Sequence, residues 1–133
     1  MKVVIDTNVL ISGLFFHGIP AQIVNMVIDK QIEAYINFEI LFEYQQIHSK
    51  FRVASGERAG IDTFLENANI VLSKTSINLC RDKDDNKFIE CAVDCDANYI
   101  ITGDKDLLVL EKYNDIGIVT PKEFLDLYNN GIS

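Results

Sequence analysis

Lys2-Val3-Val4-Ile5-Asp6-Thr7-Asn8, near the start of the chain, and Tyr99-Ile100-Ile101-Thr102-Gly103-Asp104, near its end, are built alike: a short apolar run that delivers an aspartate. Apolar runs bounded by polar residues read as strands buried on both faces, the kind that parallel sheets use. Residues 34–36 and 116–120 repeat the pattern, and residues 70–72 repeat it more weakly. Helical stretches separate them. After Pro20, whose missing N–H is harmless in a first turn, Ile23, Met26, Val27 and Lys30 fall at helical spacing. After Asn37, a good N-cap, Ile40, Tyr44, Ile47 and Phe51 share one side. Further helices are expected over residues 58–69, 83–97 and 121–130, the last ended by Gly131. Parallel neighbours need crossover connections, so this alternation predicts a three-layer α/β/α sandwich with a central parallel sheet.

The whole chain, residues 1–133, is expected to be one domain, since 133 residues with 48% hydrophobic content enclose one core and are too few for two. Acidic residues outnumber basic ones, 20 to 12, for a net charge of −8, which argues against holding polynucleotide by bulk positive charge. Three cysteines without C-x-x-C spacing support neither a disulfide framework nor a closed zinc site. Cys91 and Cys95 are therefore expected to pack in the core, in a cytoplasmic protein. The apolar amino terminus is interrupted by Asp6 and Asn8, and no run approaches the roughly 18 apolar residues of a membrane helix, so no membrane association is expected.

Ligands of open parallel sheets collect beyond the carboxyl ends of the strands, where Asp6 and Asp104 stand. Glu43 lies three residues after Ile40 and four before Ile47, on the apolar side of its helix. A carboxylate placed there points toward a cation, and removing it should relieve repulsion and stabilise the metal-free fold. In Arg81-Asp82-Lys83-Asp84-Asp85-Asn86-Lys87, Asp82 suits a helix cap and Asp84 the surface or a cap, whereas Asp85 heads the row Ile89, Ala92 and Asp96. Asp6, Glu43, Asp85 and Asp104 come from four elements and could meet at one sheet edge, where oxygen-only ligands suit Mg²⁺ or Mn²⁺.

The segments V-V-I-D-T-N-V-L-I-S-G-L, I-L-F-E-Y-Q-Q-I, C-R-D-K-D-D-N-K-F-I-E-C-A and Y-I-I-T-G-D-K-D-L-L resemble, in order and spacing, the successive motifs of PIN-domain nucleases, and within them the ribonuclease toxins of toxin–antitoxin pairs. The resemblance implies that Asp6, Glu43, Asp85 and Asp104 form a catalytic metal site. It implies support from Thr7, Asn8 and Thr102, and makes Asp106 a further position that joins some such sites. It implies Mg²⁺- or Mn²⁺-dependent hydrolysis of RNA, with one cation held chiefly by Asp6 and Asp104, a second near Glu43 and Asp85, and products bearing a 5′ phosphate. Neutralising four carboxylates would take the net charge from −8 to −4 before RNA approaches. Lys50, Arg52, Arg58, Arg81, Lys83, Lys87 and Lys105 are the candidate phosphate contacts, while His17 reads as loop and His48 as helix surface. The expected partners are RNA and a small antitoxin protein. Its docking surface would be residues 14–19, a stretch that core packing or a homodimer contact would equally explain.

Two other classes fit parts of the pattern. A phosphate-accepting signalling domain also places an aspartate after a strand, but it has no need of Glu43 and wants a lysine after a late strand. A catalytically silent PIN-like module that binds RNA or protein would keep the fold without needing the four acids.

Overall fold

A computed structural model describes residues 1–55 and 61–131, with the side chains of 52–55 left aside. Its strands are β1 (Lys2–Ile5), β2 (Glu33–Ile36), β3 (Asn69–Ile70), β4 (Tyr99–Ile101), β5 (Lys112–Tyr113) and β6 (Ile116–Val119). They form one sheet in the order β3-β2-β1-β4-β6-β5. Every pairing is parallel except β5 with β6. The helices are α1 (Thr7–Phe15), α2 (Ile19–Ile28), α3 (Phe38–Ser55), α4 (Ile61–Asn67), α5 (Asn86–Cys95), α6 (Lys105–Leu108) and α7 (Pro121–Asn129), with a 3-10 turn over Lys83–Asp85. Helices flank the sheet: α5 lies against β1, β2 and β4, while α2 joins α1, α4 and α7 in a second group. The expected sandwich is present.

The core is continuous, running from Val3, Val4 and Ile5 of β1 through Ile100 and Ile101 of β4 to Ile40 and Tyr44 of α3 and Phe88, Ile89 and Cys91 of α5. Cys91 and Cys95 are buried free thiols, as the sequence predicts. The Tyr44 hydroxyl donates to the Ile5 carbonyl, which ties α3 to the end of β1 next to Asp6. Asn37 caps α3 through Ile40 N–H at 2.9 Å, and Pro20 sits in the first turn of α2. Thr120 and Glu123 close a capping box at the start of α7.

The structure differs from the sequence reading in several places. The sheet is not wholly parallel, because the chain turns tightly at Asn114, φ 52°, and lays β5 antiparallel on β6. A two-residue strand carries no periodicity by which it could be recognised. Helices α1 and α6 have no counterpart in that reading. In α1, Thr7, Val9, Leu10 and Ile11 are all buried, so no polar face alternates with the apolar one. Gly13 allows α1 to touch α2 closely: a Cβ there would lie 2.5 Å from Val24 Cγ2 and 2.6 Å from the Pro20 carbonyl oxygen. His48 is buried, not on the surface, and its ring centroid lies 5.4 Å from that of Phe15 in α1. Residues 56–60, including Arg58 where a helix was expected to begin, lie outside the described residues, as does the side chain of Arg52. Among the described residues no single helix is long and apolar enough to cross a membrane.

Candidate metal centre

The chain leaves β1 toward β2 and β3 on one side and returns through β4 on the other, so the strand order reverses between β1 and β4. Such a reversal opens a crevice at the carboxyl ends of the two strands, because their connections depart in opposite directions. Ile5 pairs with Ile101, so Asp6 and Thr102 leave these strands side by side. Thr102 is fully buried, and its hydroxyl donates to Asp6 Oδ2 at 2.6 Å while accepting from Asp104 N–H at 3.0 Å. One threonine therefore sets the orientation of Asp6 and the path of the backbone into Asp104.

Carboxylate oxygens of Asp85, Asp104 and Asp106 all lie within 4.8 Å of one another. Asp85 reaches this point from the 3-10 turn that precedes α5, where Asp82 caps the turn by accepting from Asp84 N–H at 3.0 Å. Asp104 also accepts from Asp106 N–H at 2.9 Å through Oδ1, which brings the last two acids onto one turn. Burial, followed by the charge of Asp104, pushes the Asp85 carboxyl up to about 7. Burial also raises Asp6, an effect opposed by the Thr102 hydrogen bond and reinforced by the charge of Asp104. Asp85 Oδ2 is buried and has no hydrogen-bond partner among the described residues. An unpaired buried carboxylate oxygen beside two further carboxylates is costly without a cation. The set contains only hard oxygen donors. These residues fit a small divalent cation such as Mg²⁺ or Mn²⁺ better than zinc.

Residues 2–106 match the PIN domain family. The chain belongs to the PIN-domain family. PIN domains are typically metal-dependent nucleases, and the acidic cluster lies where the fold presents its ligands. An uncharacterized protein of Methanocaldococcus jannaschii is similar to this chain, 39% identical over 148 residues that cover 100% of the chain and 95% of that protein. No solved structure matches the chain.

Glu43 stands outside the trio of this PIN domain. Its Oε1 accepts the hydroxyl of buried Thr7, and its Oε2 lies 2.8 Å from Lys87 Nζ. The cation toward which Glu43 points is thus a lysine of α5. The structure reverses the expectation that losing Glu43 would stabilise the metal-free fold, since its loss would strand a buried ammonium. Lys87 is likewise not a surface phosphate contact, being only 7% exposed. Asn8 is exposed at the start of α1, and Lys50, Lys83 and Lys105 face solvent. Arg81 forks onto Asp106, with Nε 3.1 Å from Oδ1 and Nη2 3.2 Å from Oδ2, but it is so exposed that the pair contributes little to stability.

Sequence reasoning missed the side chains that hold this edge together. Asn86 Oδ1 accepts from the N–H groups of Leu79 and Cys80 at 3.2 and 2.9 Å, Glu90 from Ile77 at 2.8 Å, and Asp94 from Lys74 at 2.9 Å. Spaced four apart on α5, these residues fasten the irregular segment that leads into Arg81 and Asp82. Their polar spacing along one helix edge was the available signal. Two clefts each share a carboxylate with the cluster. One, of about 280 Å³, runs past Asn8, Ser12, Gly103 and Asp104; the other, of about 590 Å³, is lined by Arg81, Lys83 and Asp106 together with Asp82 and Asp84.

Proposed function

We propose that this PIN domain is a cytoplasmic endoribonuclease that requires Mg²⁺ or Mn²⁺ and acts as the toxin of a toxin–antitoxin pair. The buried Asp85 Oδ2, unpartnered among the described residues and set within the Asp85, Asp104 and Asp106 cluster, carries the reading, because a hard divalent cation is the partner that such a set of oxygens suits. Asp85, Asp104 and Asp106 would hold the cation, with Asp6 contributing its charge from the adjoining strand end. When bound, a divalent cation at such a site activates water and offsets the charge that develops on a phosphodiester. Thr102 keeps Asp6 from rotating away. Arg81 and Lys83 line the charged cleft and suit a flanking phosphate, while the cleft beside Asn8 and Ser12 has both polar and apolar walls, as a nucleobase requires.

The antitoxin part of the proposal is supported by exposed aromatic surface near the end of α1. Phe16 is 58% exposed and meets Phe51 edge-on at 6.1 Å, and Phe51 also packs against Phe15 at 5.1 Å. A small protein could cover these rings, and a second copy of the chain is the competing occupant. Incubating purified protein with mixed RNA and Mg²⁺ or Mn²⁺ tests the activity: cleavage abolished by chelator is expected, and intact RNA would leave a catalytically silent binding module. Co-purification with the product of the neighbouring gene, followed by the same assay, tests the partner. Full activity in a stable complex would refute blocking of the site.

A further inference from the structure

Lys87 is a charged side chain enclosed beside an acidic site, and its surroundings are made for it. Its Nζ lies 2.8 Å from Glu43 Oε2, donates to the Asp84 carbonyl, and sits 5.0 Å above the Phe88 ring. Its side chain is 8% exposed. An ammonium so far removed from water persists only when paired, so the pair with Glu43 belongs to the fold itself and is not an optional surface contact. The other Glu43 oxygen accepts from Thr7. Both oxygens of Glu43 are therefore engaged by this chain's own donors, one of them a buried ammonium; Arg81, the donor on both oxygens of Asp106, is exposed and can swing away, and Asp85 Oδ2 has no partner among the described residues. A divalent ion at Glu43 would have to expel a buried ammonium or stand beside it, and like charges a few ångströms apart in a poorly solvated site oppose that strongly.

Resting on the metal-dependent reading of the site, we infer that Lys87 is a built-in cation that takes, at Glu43, the place of a second metal ion. The centre then accepts one divalent cation, at Asp85, Asp104 and Asp106. Glu43 serves as the anchor of Lys87 and as a positioning residue, not as a metal ligand. Five carboxylates surround the centre, and the lysine keeps part of their charge balanced whatever the metal supply.

Manganese counts the sites without reference to RNA cleavage. Anomalous diffraction from wild-type crystals grown with Mn²⁺ is expected to show one peak, among Asp85, Asp104 and Asp106, with Lys87 still on Glu43. Electron paramagnetic resonance of the same protein should show one uncoupled Mn²⁺ per chain. Lys87→Gln should admit a second ion and give an exchange-coupled pair, and Lys87→Arg should not. A wild-type peak between Glu43 and Asp85, or a folded Lys87→Gln variant that still takes a single ion, would overturn the inference. The wild-type diffraction decides even where Lys87→Gln does not fold. One Mn²⁺ at the trio in a protein that cleaves no RNA would keep the inference and remove the nuclease. Absence of any bound Mn²⁺ would overturn both the metal site and the role of Lys87.

Discussion

Replacing Asp85 by asparagine is expected to stabilise the protein without metal and to weaken it relative to wild type when metal is present. In the fold the Asp85 carboxyl is lifted from 3.8 to about 7, with burial as the larger cause and the charge of Asp104 as the next. A folded pKa above the unfolded one means that the fold retains a proton that the unfolded chain releases. The stability of the metal-free protein therefore falls as pH rises from about 4 to about 7, and the cost is fully present above that range. Undiscounted, a shift of about three pH units corresponds to about 4 kcal/mol. Asp104 and Asp106 are half-exposed, and solvent screens their repulsion, which leaves about 1–2 kcal/mol. For a chain of this length that is a rise in Tm of roughly 3–8 °C for Asp85→Asn at pH 8 in chelator. At pH 4 the gain should vanish. With metal at a hundred times its Kd, the wild type should gain about 2.7 kcal/mol, which reverses the order of the two proteins. Calorimetric scans at pH 4, 6 and 8, with chelator and with Mn²⁺, read all of this. A variant that is less stable than wild type in chelator at both pH 4 and pH 8 would mean that Asp85 is a structural residue and not a strained metal ligand.

Asp6→Asn should lower RNA cleavage by about a hundredfold or more while circular dichroism shows the fold retained, because it removes charge beside Asp104 without changing shape. Glu43→Gln should destabilise the protein by about 1–3 kcal/mol in denaturant titration, less than for a fully buried pair because the Glu43 side chain is 29% exposed; unchanged stability would mean that Lys87 finds another partner. Asn86→Ala should cost about 1–3 kcal/mol and speed amide exchange at Leu79 and Cys80, whose N–H groups lose their acceptor. Protein purified without added metal should carry no stoichiometric zinc, since Cys91 and Cys95 are buried in the core and the acidic cluster offers only carboxylate oxygens.

The parts of the molecule legible in the sequence are those set by local pattern. Runs such as residues 2–5 and 99–101, short, apolar and bounded by polar residues, read as strands with both faces covered, and an aspartate at the end of each falls at the crevice once the strands are neighbours. Asn37 and Pro20 announce helix starts because capping and ring geometry act within one turn. What escaped depends on contacts between distant segments. Helix α1 is apolar and rich in β-branched residues, so neither propensity nor a polar face marks it; with α1 unrecognised, nothing indicated that Phe15 would cover His48. Lys87 follows a helix start where lysines are ordinarily solvated, and only the packing of α3 beside α5 puts it against Glu43. The position of Glu43 on the apolar side of its helix was a true signal of a cation, but the spacing could not say that the cation is supplied by the chain. Asp106, a supporting position in the sequence reading, lies with Asp85 and Asp104 because Asp104 caps the short helix that begins between them.

We propose that a cation at Asp85, Asp104 and Asp106 gives this PIN domain its ribonuclease activity. Its most direct test is a cleavage assay on 5′-labelled and 3′-labelled single-stranded RNA, with Mn²⁺ titrated into metal-free wild type and Asp85→Asn, and the ends of the products identified. Cleavage should appear with Mn²⁺, be abolished by chelator, be lost in Asp85→Asn, and leave 5′ phosphates. Cleavage that persists in chelator, or products ending in 2′,3′-cyclic phosphates, would contradict the proposal.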